Sequence, residues 1–207
     1  VCMIAKSLRL ENQTKSNGMT IEAKDSIKLT KGKIVDIESG GIGERYCIDL
    51  TCLISIGEGM LIGSSASSLA LVHGEVISSQ YVPSRPFRVN AGPPHSYVLM
   101  ADGKTKYIAE LTSGDEVMLV SDHGESRAAT IGRLKIEKRP FLRISWENDY
   151  QISNSIYLQQ AETVRVVAGE GQVVSVTNLA VGDSILCHNS QYARHIGNQV
   201  SISSKEV

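Results

Sequence analysis

Aromatic residues are scarce in this sequence, which has only two Phe, one Trp and seven Tyr among its 207 residues. Proteins that bind single-stranded nucleic acid stack the bases on aromatic side chains set among basic ones, so this class is disfavoured. The sequence also lacks an excess of charge of either sign, with 21 basic and 22 acidic residues. No apolar run approaches the roughly 20 residues needed to span a bilayer. We therefore expect neither a nucleic acid nor a membrane as a partner.

Cysteine is too sparse to build a disulfide framework in a chain of this length. The four cysteines are Cys2, Cys47, Cys52 and Cys187, and the two nearest, Cys47 and Cys52, have neither CxxC nor zinc-knuckle spacing. We expect free, buried, reduced thiols and an intracellular compartment. Residues 1–6 form too short an apolar stretch for a secretory signal. We predict a piece of a longer cytoplasmic protein, or a plastid one if a transit peptide has been lost.

Helical periodicity is almost absent, whereas short β-branched runs separated by glycine turns recur along the chain. Residues 34–38 and 46–54 are two such runs, and residues 133–137 and 142–146 alternate apolar with polar side chains on either side of a break at Arg139-Pro140. The pattern predicts a mainly β protein made of one or two small β-barrel or sandwich units, with few helices. Residues 27–207 would form this β-rich region, and residues 1–26 a surface segment or the remnant of a missing N-terminal domain.

Glycine-containing turns mark the expected ends of strands. Asp102-Gly103, between residues 97–100 and 107–110, predicts a β-hairpin. A Gly-Asp turn phrase occurs at residues 111–117 and again at 179–185, with a looser copy at 29–34. In each copy we expect the glycine to adopt the left-handed conformation before a new strand, which favours a structural turn over a ligand loop.

Three glycines, Gly57, Gly59 and Gly63, come close to the dinucleotide-binding fingerprint. The third glycine stands one residue late, and the following residues do not predict the helix whose N-terminus would hold a pyrophosphate. A cofactor-binding loop is therefore one interpretation of these residues. The other is a glycine-lined hairpin that approaches a ligand or a neighbouring strand closely.

A second group of candidates carries imidazole and carboxylate side chains. His73 and Glu75 are two residues apart and would share one face of a strand, and His95 follows a proline-rich turn. Such a set suits acid–base chemistry near neutral pH, or a divalent metal with open positions. The structural alternative is that each histidine is an ordinary polar residue at the end of a strand.

The segment between these histidines, residues 83–92, contains three prolines or glycines and three candidate ligand-binding side chains, Arg85, Arg88 and Asn90. Guanidinium groups match carboxylate or phosphate geometry, and an amide can both donate and accept a hydrogen bond. One interpretation is a preorganised loop that binds a small-molecule substrate through these three residues, and the other is that the arginines are ordinary solvated surface residues. Lys104 and Lys135 are secondary candidates for anion contacts, although the pattern favours exposed strand faces as the explanation for both.

Six segments together resemble the signature blocks of the type II 3-dehydroquinate synthase family, in the family's order. They are GEGMLIGSS (57–65), LVH (71–73), RPFRVNAG (85–92), GKTKY (103–107), GRLKIEKRP (132–140) and QAETV (160–164). The resemblance begins near residue 34 and implies the C-terminal half of such an enzyme. Members of the family oxidatively deaminate an amino-dideoxy-heptulosonate with NAD and cyclise the product to 3-dehydroquinate. A sister group similar in sequence makes 3-amino-4-hydroxybenzoate with a divalent metal such as Mn.

The resemblance implies catalytic or metal-binding roles for His73, Glu75 and His95. It also implies a partner, the family's N-terminal half, and leaves assembly into a homo-oligomer open. The sequence departs from the family pattern at residues 66–70, where an Arg-Gly pair and an aromatic residue are common. This departure keeps a non-catalytic binding module on the same scaffold as a competing hypothesis.

Overall fold

The computed structural model describes residues 26–79, 82–148, 152–169 and 171–190, together with the backbones of residues 193–195 and 198–200. The strands are β1 (Thr30–Leu50), β2 (Gly59–Ser65), β3 (Ser68–Glu75), β4 (Arg85–Gly92), β5 (Tyr97–Leu99), β6 (Thr105–Tyr107), β7 (Glu116–Val120), β8 (Ser126–Glu147), β9 (Ser153–Gln159), β10 (Arg165–Gly169), β11 (Gln172–Ser175), β12 (Ser184–Asn189), β13 (Ala193–His195) and β14 (Asn198–Val200). Two 3-10 helices, Ile108–Glu110 and Val176–Asn178, are the helical elements within the described ranges. The prediction of a mainly β fold is confirmed.

The strands form one ring-like sheet. In the order β3, β12, β1, β8, β7 and β2, each strand pairs antiparallel with the next, and β2 pairs with β3 to close the ring. The two long strands, β1 and β8, are paired along most of their length. Strand β4 lies between β1 and β3 and pairs with both.

The main hydrophobic core draws side chains from every strand of the ring. Buried members include Ile48, Met60, Val72, Ile131 and Ile185. On β2 and β3 these alternate with Leu61, Leu69 and Leu71, which pack into a second cluster on the opposite side of the sheet. Both sides of the β2–β3 pair are therefore buried, whereas β1 and β8 keep a polar side. The candidate site lies on this polar side.

The repeated turn phrase forms the same structure twice. The φ angles of Gly114 and Gly182 are 96° and 100°, so both glycines are left-handed as predicted. Asp115 Oδ2 accepts the backbone N–H of Thr112 at 2.9 Å, and Asp183 Oδ2 accepts that of Ala180 at 2.9 Å. The predicted third copy is wrong, because Gly32 is an ordinary residue of the extended strand β1.

Three further predictions about elements can be compared with the structure. The Asp102-Gly103 hairpin is confirmed between β5 and β6, but residues 108–110 form a 3-10 helix, not a strand. The break predicted at Arg139-Pro140 is wrong, since β8 runs through it. The prediction for residues 1–26 lies outside the described part of the chain, apart from Ser26. No helix in the described residues has the length and apolar character required to traverse a membrane.

Candidate functional site

A set of polar side chains shares one side of the three adjacent strands β4, β1 and β8. On β1, Arg45, Cys47 and Asp49 alternate with apolar residues and so point to the same side. The register places Cys47 beside Asn90 of β4 and Lys135 of β8, and Asp49 beside Arg88 and Arg133. Arg45 lies beside Glu137. We call these eight residues the polar face: Arg45, Cys47, Asp49, Arg88, Asn90, Arg133, Lys135 and Glu137.

Asp49 holds two arginines, one from each neighbouring strand. Arg88 Nε donates to Asp49 Oδ1 at 2.7 Å and Arg88 Nη2 to Oδ2 at 2.9 Å, a two-point contact between buried side chains. Arg133 Nε donates to Oδ2 at 2.9 Å, although the Arg133 side chain is 65% exposed. Burial opposes the charge of Asp49, but the hydrogen bonds from Arg88 and Arg133 outweigh it and lower the pKa of Asp49. Asp49 therefore stays ionised between its two cations.

The next row along the strands contains an amide, a thiol and an amine. Asn90 Nδ2 donates to Gln159 Oε1 at 2.8 Å, while Asn90 Oδ1 is buried without a hydrogen-bond partner among the described residues. Burial raises the pKa of the Cys47 thiol to about 11, so this group is a neutral thiol at physiological pH. Lys135 Nζ pairs with Glu137 Oε1 at 3.1 Å. The open acceptor on Asn90 fits a ligand that brings a hydroxyl or amino donor.

At the end of the polar face opposite Asp49, the carboxylate of Glu137 pairs with three cations. It pairs with the buried Arg45, with Lys135 and, at 3.1 Å, with Arg139. The hydrogen bond from Lys135 leads the effects that lower the pKa of Glu137. This end of the polar face is consequently a network of charges that satisfy one another.

Two predicted residues, Glu75 and Arg85, lie next to the polar face. Arg85 Nη1 donates to Glu75 Oε2 at 3.1 Å, joining β3 to β4. Arg85 is three residues before Arg88 on β4, so the Glu75–Arg85 pair lies near the Arg88–Asp49 pair. Glu75 and Arg85 thus form an ion pair, and Arg85 shares β4 with Arg88 and Asn90.

His73 lies on β3 on the same side as Glu75, but it makes different contacts. Its Nε2 accepts the backbone N–H of Gly57 at 3.0 Å, and its Nδ1 has no hydrogen-bond partner among the described residues. Burial lowers the pKa of His73 to about 4, and weaker opposing effects from the Gly74 backbone and Asp122 do not restore it. With Nε2 accepting, the neutral ring carries its proton on Nδ1 and can donate there.

His95 lies in the turn between β4 and β5. Its ring meets that of Tyr157 edge to face, with centroids 5.3 Å apart. Burial lowers the pKa of His95, which favours the neutral ring. Within the described ranges no three His, Cys, Asp or Glu side chains converge as a metal-binding group, so His73, Glu75 and His95 do not form the metal site that the sequence suggested.

Of the predicted cofactor-binding glycines, Gly57 lies in the turn before β2, and Gly59 and Gly63 lie in β2, which pairs with β3. Gly57 has φ of 85°, and its N–H contacts His73. A Cβ on Gly59 would overlap the carbonyl oxygen of Val72, and one on Gly63 would lie 2.5 Å from that of Ser68. Strand pairing therefore accounts for Gly59 and Gly63, and the segment enters a strand where a dinucleotide cradle would enter a helix. The local geometry does not fit a pyrophosphate.

The two predicted lysines occupy different surroundings. Lys135 belongs to the polar face, whereas Lys104 lies at the β5–β6 hairpin and pairs with Asp102 at 3.3 Å, both side chains being more than half exposed. The structure does not bring Lys104 to the polar face.

Sequence reasoning missed Asp49, Cys47, Arg45 and Glu137 as members of this site, and treated Arg133 only as part of a basic stretch. A signal for the first three was present, because residues 45, 47 and 49 put an arginine, a thiol and a carboxylate at every second position of an apolar strand. Their partners on β4 and β8 depend on strand register, which the sequence pattern did not reveal.

Known proteins resemble this chain over most of its length. Residues 31–206 match the profile of the 3-dehydroquinate synthase II C-terminal domain. Proteins named 3-dehydroquinate synthase are 46% identical over 189 residues in Methanosphaera stadtmanae and 47% over 174 residues in Methanocaldococcus jannaschii. These matches cover 90% and 84% of the chain but 52% and 48% of the relatives, so the chain spans about half the length of the curated relatives it matches. No solved structure matches significantly.

Proposed function

The chain belongs to the 3-dehydroquinate synthase II family, and from this premise we propose that it is the C-terminal, substrate-binding part of such an enzyme. The reaction would be the NAD-dependent oxidative deamination and cyclisation of 2-amino-3,7-dideoxy-D-threo-hept-6-ulosonate to 3-dehydroquinate, with release of ammonia. The observation that carries the proposal is the polar face with its neighbours Glu75 and Arg85. Guanidinium groups and an open amide acceptor are the donors and acceptors that a hydroxylated carboxylate needs.

Arg88 would bind the substrate carboxylate, Arg85 would be a second substrate contact on the same strand, and Asn90 would accept a hydrogen bond from a hydroxyl or amino group through its open Oδ1. The buried, neutral His73 would donate a hydrogen bond from Nδ1 to the substrate, because its Nε2 already accepts from Gly57. His95, whose neutral form is favoured by burial, would accept a proton. Glu75 would act beside Arg85 as a second acid–base group.

NAD would supply the hydride acceptor of the overall reaction. Because residues 57–63 do not fit a pyrophosphate, we place no step of the dinucleotide on this chain. Its binding groups would come from the half of the protein that the relatives have beyond the matched region. A metal-dependent cyclase of the 3-amino-4-hydroxybenzoate type finds no support in the described side chains, which offer no metal-binding group.

One observation favours a second candidate, a non-catalytic binding module. Asp49, Glu75 and Glu137 are each already paired with at least one arginine, so much of the polar face is internally satisfied. A scaffold that had lost catalysis would keep such pairs for stability. The open Asn90 Oδ1 and the unpaired edges of the arginines argue for a ligand.

The direct test is to incubate the intact protein with the amino sugar and NAD, measuring NADH by absorbance and 3-dehydroquinate by mass spectrometry. Formation of both products supports the enzyme. Binding of the amino sugar without either product would leave the binding module as the better description.

Substitution of Arg88 separates the proposed carboxylate site from general basicity. Arg88→Lys cannot keep two-point contacts, so we expect KM for the amino sugar to rise about tenfold. Lys104→Ala, which removes an exposed cation outside the polar face, serves as the control and should change KM less than twofold. Equal effects in the two variants would show that the carboxylate binds elsewhere.

A further inference from the structure

Positive charge is in excess around the polar face. Arg45, Arg85, Arg88, Arg133, Lys135 and Arg139 share only three carboxylates, those of Asp49, Glu75 and Glu137. Arg45 and Arg88 are buried, whereas the side chains of the other four cations are 37–65% exposed. Three positive charges are left over, and the sharing is most marked at Asp49, where one carboxylate serves two guanidinium groups.

The two arginines at Asp49 still have hydrogen-bonding capacity. A guanidinium group offers one fork from Nε and one Nη, and a second fork from the two Nη groups. Arg88 and Arg133 each direct their Nε and Nη2 to Asp49, and neither Nη1 donates to another described residue. In each arginine the end of the guanidinium group that carries Nη1 therefore remains able to donate to a second anion.

Access to the two forks differs. The side chains of Arg88 and Asp49 are only 8% and 6% exposed, whereas that of Arg133 is 65% exposed. Arg133 would otherwise be a mobile surface side chain, and its bonds to Asp49 hold it in one orientation. Beside it along the strands lies the row of Asn90 and Lys135, with the open Asn90 Oδ1.

We propose that Asp49 is a positioning residue that aligns Arg88 and Arg133 as a paired carboxylate-binding site, and that Arg133 is a further substrate contact of this protein. The inference rests on the proposed function for its substrate, an acid that carries a hydroxyl or amino group. The carboxylate binds across the free ends of the two guanidinium groups. The polar substituent reaches Asn90, which is two residues from Arg88 on β4 and so about 7 Å away.

Malonate, a simple dicarboxylate, tests the site without any turnover. Binding to the intact protein is measured by isothermal titration calorimetry for the wild type, Arg133→Met and Asp49→Asn. We expect Arg133→Met to weaken malonate binding about tenfold, since it removes a charge-assisted contact while the Arg88–Asp49 pair remains. Wild-type binding no tighter than that of Arg133→Met would overturn the proposal.

Asp49→Asn separates alignment from plain electrostatics. The substitution removes an anion, so a site that acts only through its positive charge would bind malonate more tightly. If Asp49 aligns the arginines, binding weakens about tenfold despite the added positive charge, and Arg133→Met in the same background costs less than a further twofold. Tighter binding, or independent losses that multiply to about a hundredfold, would each overturn the positioning role.

Glu38→Gln is the matched control, because Glu38 of β1 pairs with Arg143 of β8 and the substitution changes charge equally on the same two strands. It should alter malonate binding less than twofold. With the amino sugar as substrate, Arg133→Met should raise KM about tenfold and leave kcat within twofold. A wild type that shows the malonate pattern but makes no product contradicts the proposed reaction and keeps the site, whereas turnover with an unchanged KM in Arg133→Met removes the site alone.

Discussion

Burial of the His73 ring links protonation of one residue to the stability of the protein. Its pKa of about 4 in the folded state lies below the ordinary value of 6.5. The unfolded chain therefore binds a proton between these values while the folded chain does not, and stability falls as the pH falls from about 6.5 to 4. None of this stability is lost above pH 6.5, and the total loss on acidification through pH 4 amounts to about 3 kcal/mol at most.

We predict that His73→Gln flattens this acid dependence. The free energy of unfolding, measured by urea denaturation at several pH values between 7 and 4, should fall less steeply in the variant than in the wild type. His123→Gln, at a side chain that is 78% exposed, is the control and should keep the wild-type slope. Parallel slopes for His73→Gln and the wild type would contradict the burial of a neutral ring.

Sequence spacing indicated which candidate residues share a strand, but not which residues on other strands they contact. Arg88 and Asn90 were predicted to share a site, and they stand two residues apart on one strand, on the same side of the sheet. Asp49, which holds Arg88, is 39 residues distant in sequence, and only strand pairing brings the two together. Local spacing therefore predicts residues that share a strand, whereas the partners across strands require the register.

At the scale of single elements, the β2–β3 hairpin explains glycines that resemble a cofactor motif. We predict that Gly59→Ala destabilises the protein by about 3 kcal/mol, because the added methyl group overlaps the Val72 carbonyl. Gly103→Ala, at φ of 75° and with no atom within 4 Å of the added methyl group, should cost about 1 kcal/mol from backbone strain alone. Chemical denaturation of both variants gives the comparison, and equal costs would mean that the strands separate easily at Gly59.

The repeated turns give a second prediction at this scale. Asp183→Ala removes the acceptor of the Ala180 N–H and should cost about 1 kcal/mol, whereas Asp183→Asn keeps a side-chain oxygen and should cost less. The two free energies of unfolding, from urea denaturation, test whether the carboxylate acts as a turn cap. If the alanine and asparagine variants are equally stable, the hydrogen bond contributes nothing.

Strand β8 shows why one element was misjudged from sequence. Proline lacks an N–H and usually ends a strand or lies at an edge or bulge, which predicted a break at Pro140. In the structure Pro140 is opposite Ile42, next to a register shift in β1 between Ser39 and Ile42, and its carbonyl oxygen accepts the Gln160 N–H at 2.9 Å. The irregular pairing tolerates the missing donor, so the strand continues.

At the scale of the whole molecule, one large core holds the ring together, and we propose that the dinucleotide binds in the half of the relatives' length that this chain does not match. Every strand of the ring contributes to the main core, whereas the dinucleotide finds no suitable cradle in residues 57–63. We predict that residues 1–207 alone unfold cooperatively but do not produce NADH from the amino sugar. Differential scanning calorimetry and an NADH assay test the two parts, and full activity of these residues alone would place the cofactor site within them.

The fold class was predictable because β-branched runs and glycine turns recur along the whole chain. The closure of the ring was not, since β3 contacts β12 and β1 contacts β8 across long stretches of sequence that no local pattern encodes. The repeated Gly-Asp turn was recognisable as a phrase, and its two copies do share one hydrogen-bond arrangement.

The polar face can form only after β8 has been synthesised and has paired with β1. Its ion pairs join residues 84 positions apart at Asp49 and Arg133, and 92 positions apart at Arg45 and Glu137. As the chain leaves the ribosome, Asp49 can meet Arg88 of β4 after 39 further residues, but Arg45 must wait for Glu137 of β8. Folds dominated by such distant pairings form slowly, on the order of milliseconds to seconds. Until β8 pairs with it, β1 is an unpaired strand that carries the charged side chains of Asp49 and Arg45. Such charges oppose pairing with a strand of another nascent chain, and so oppose aggregation.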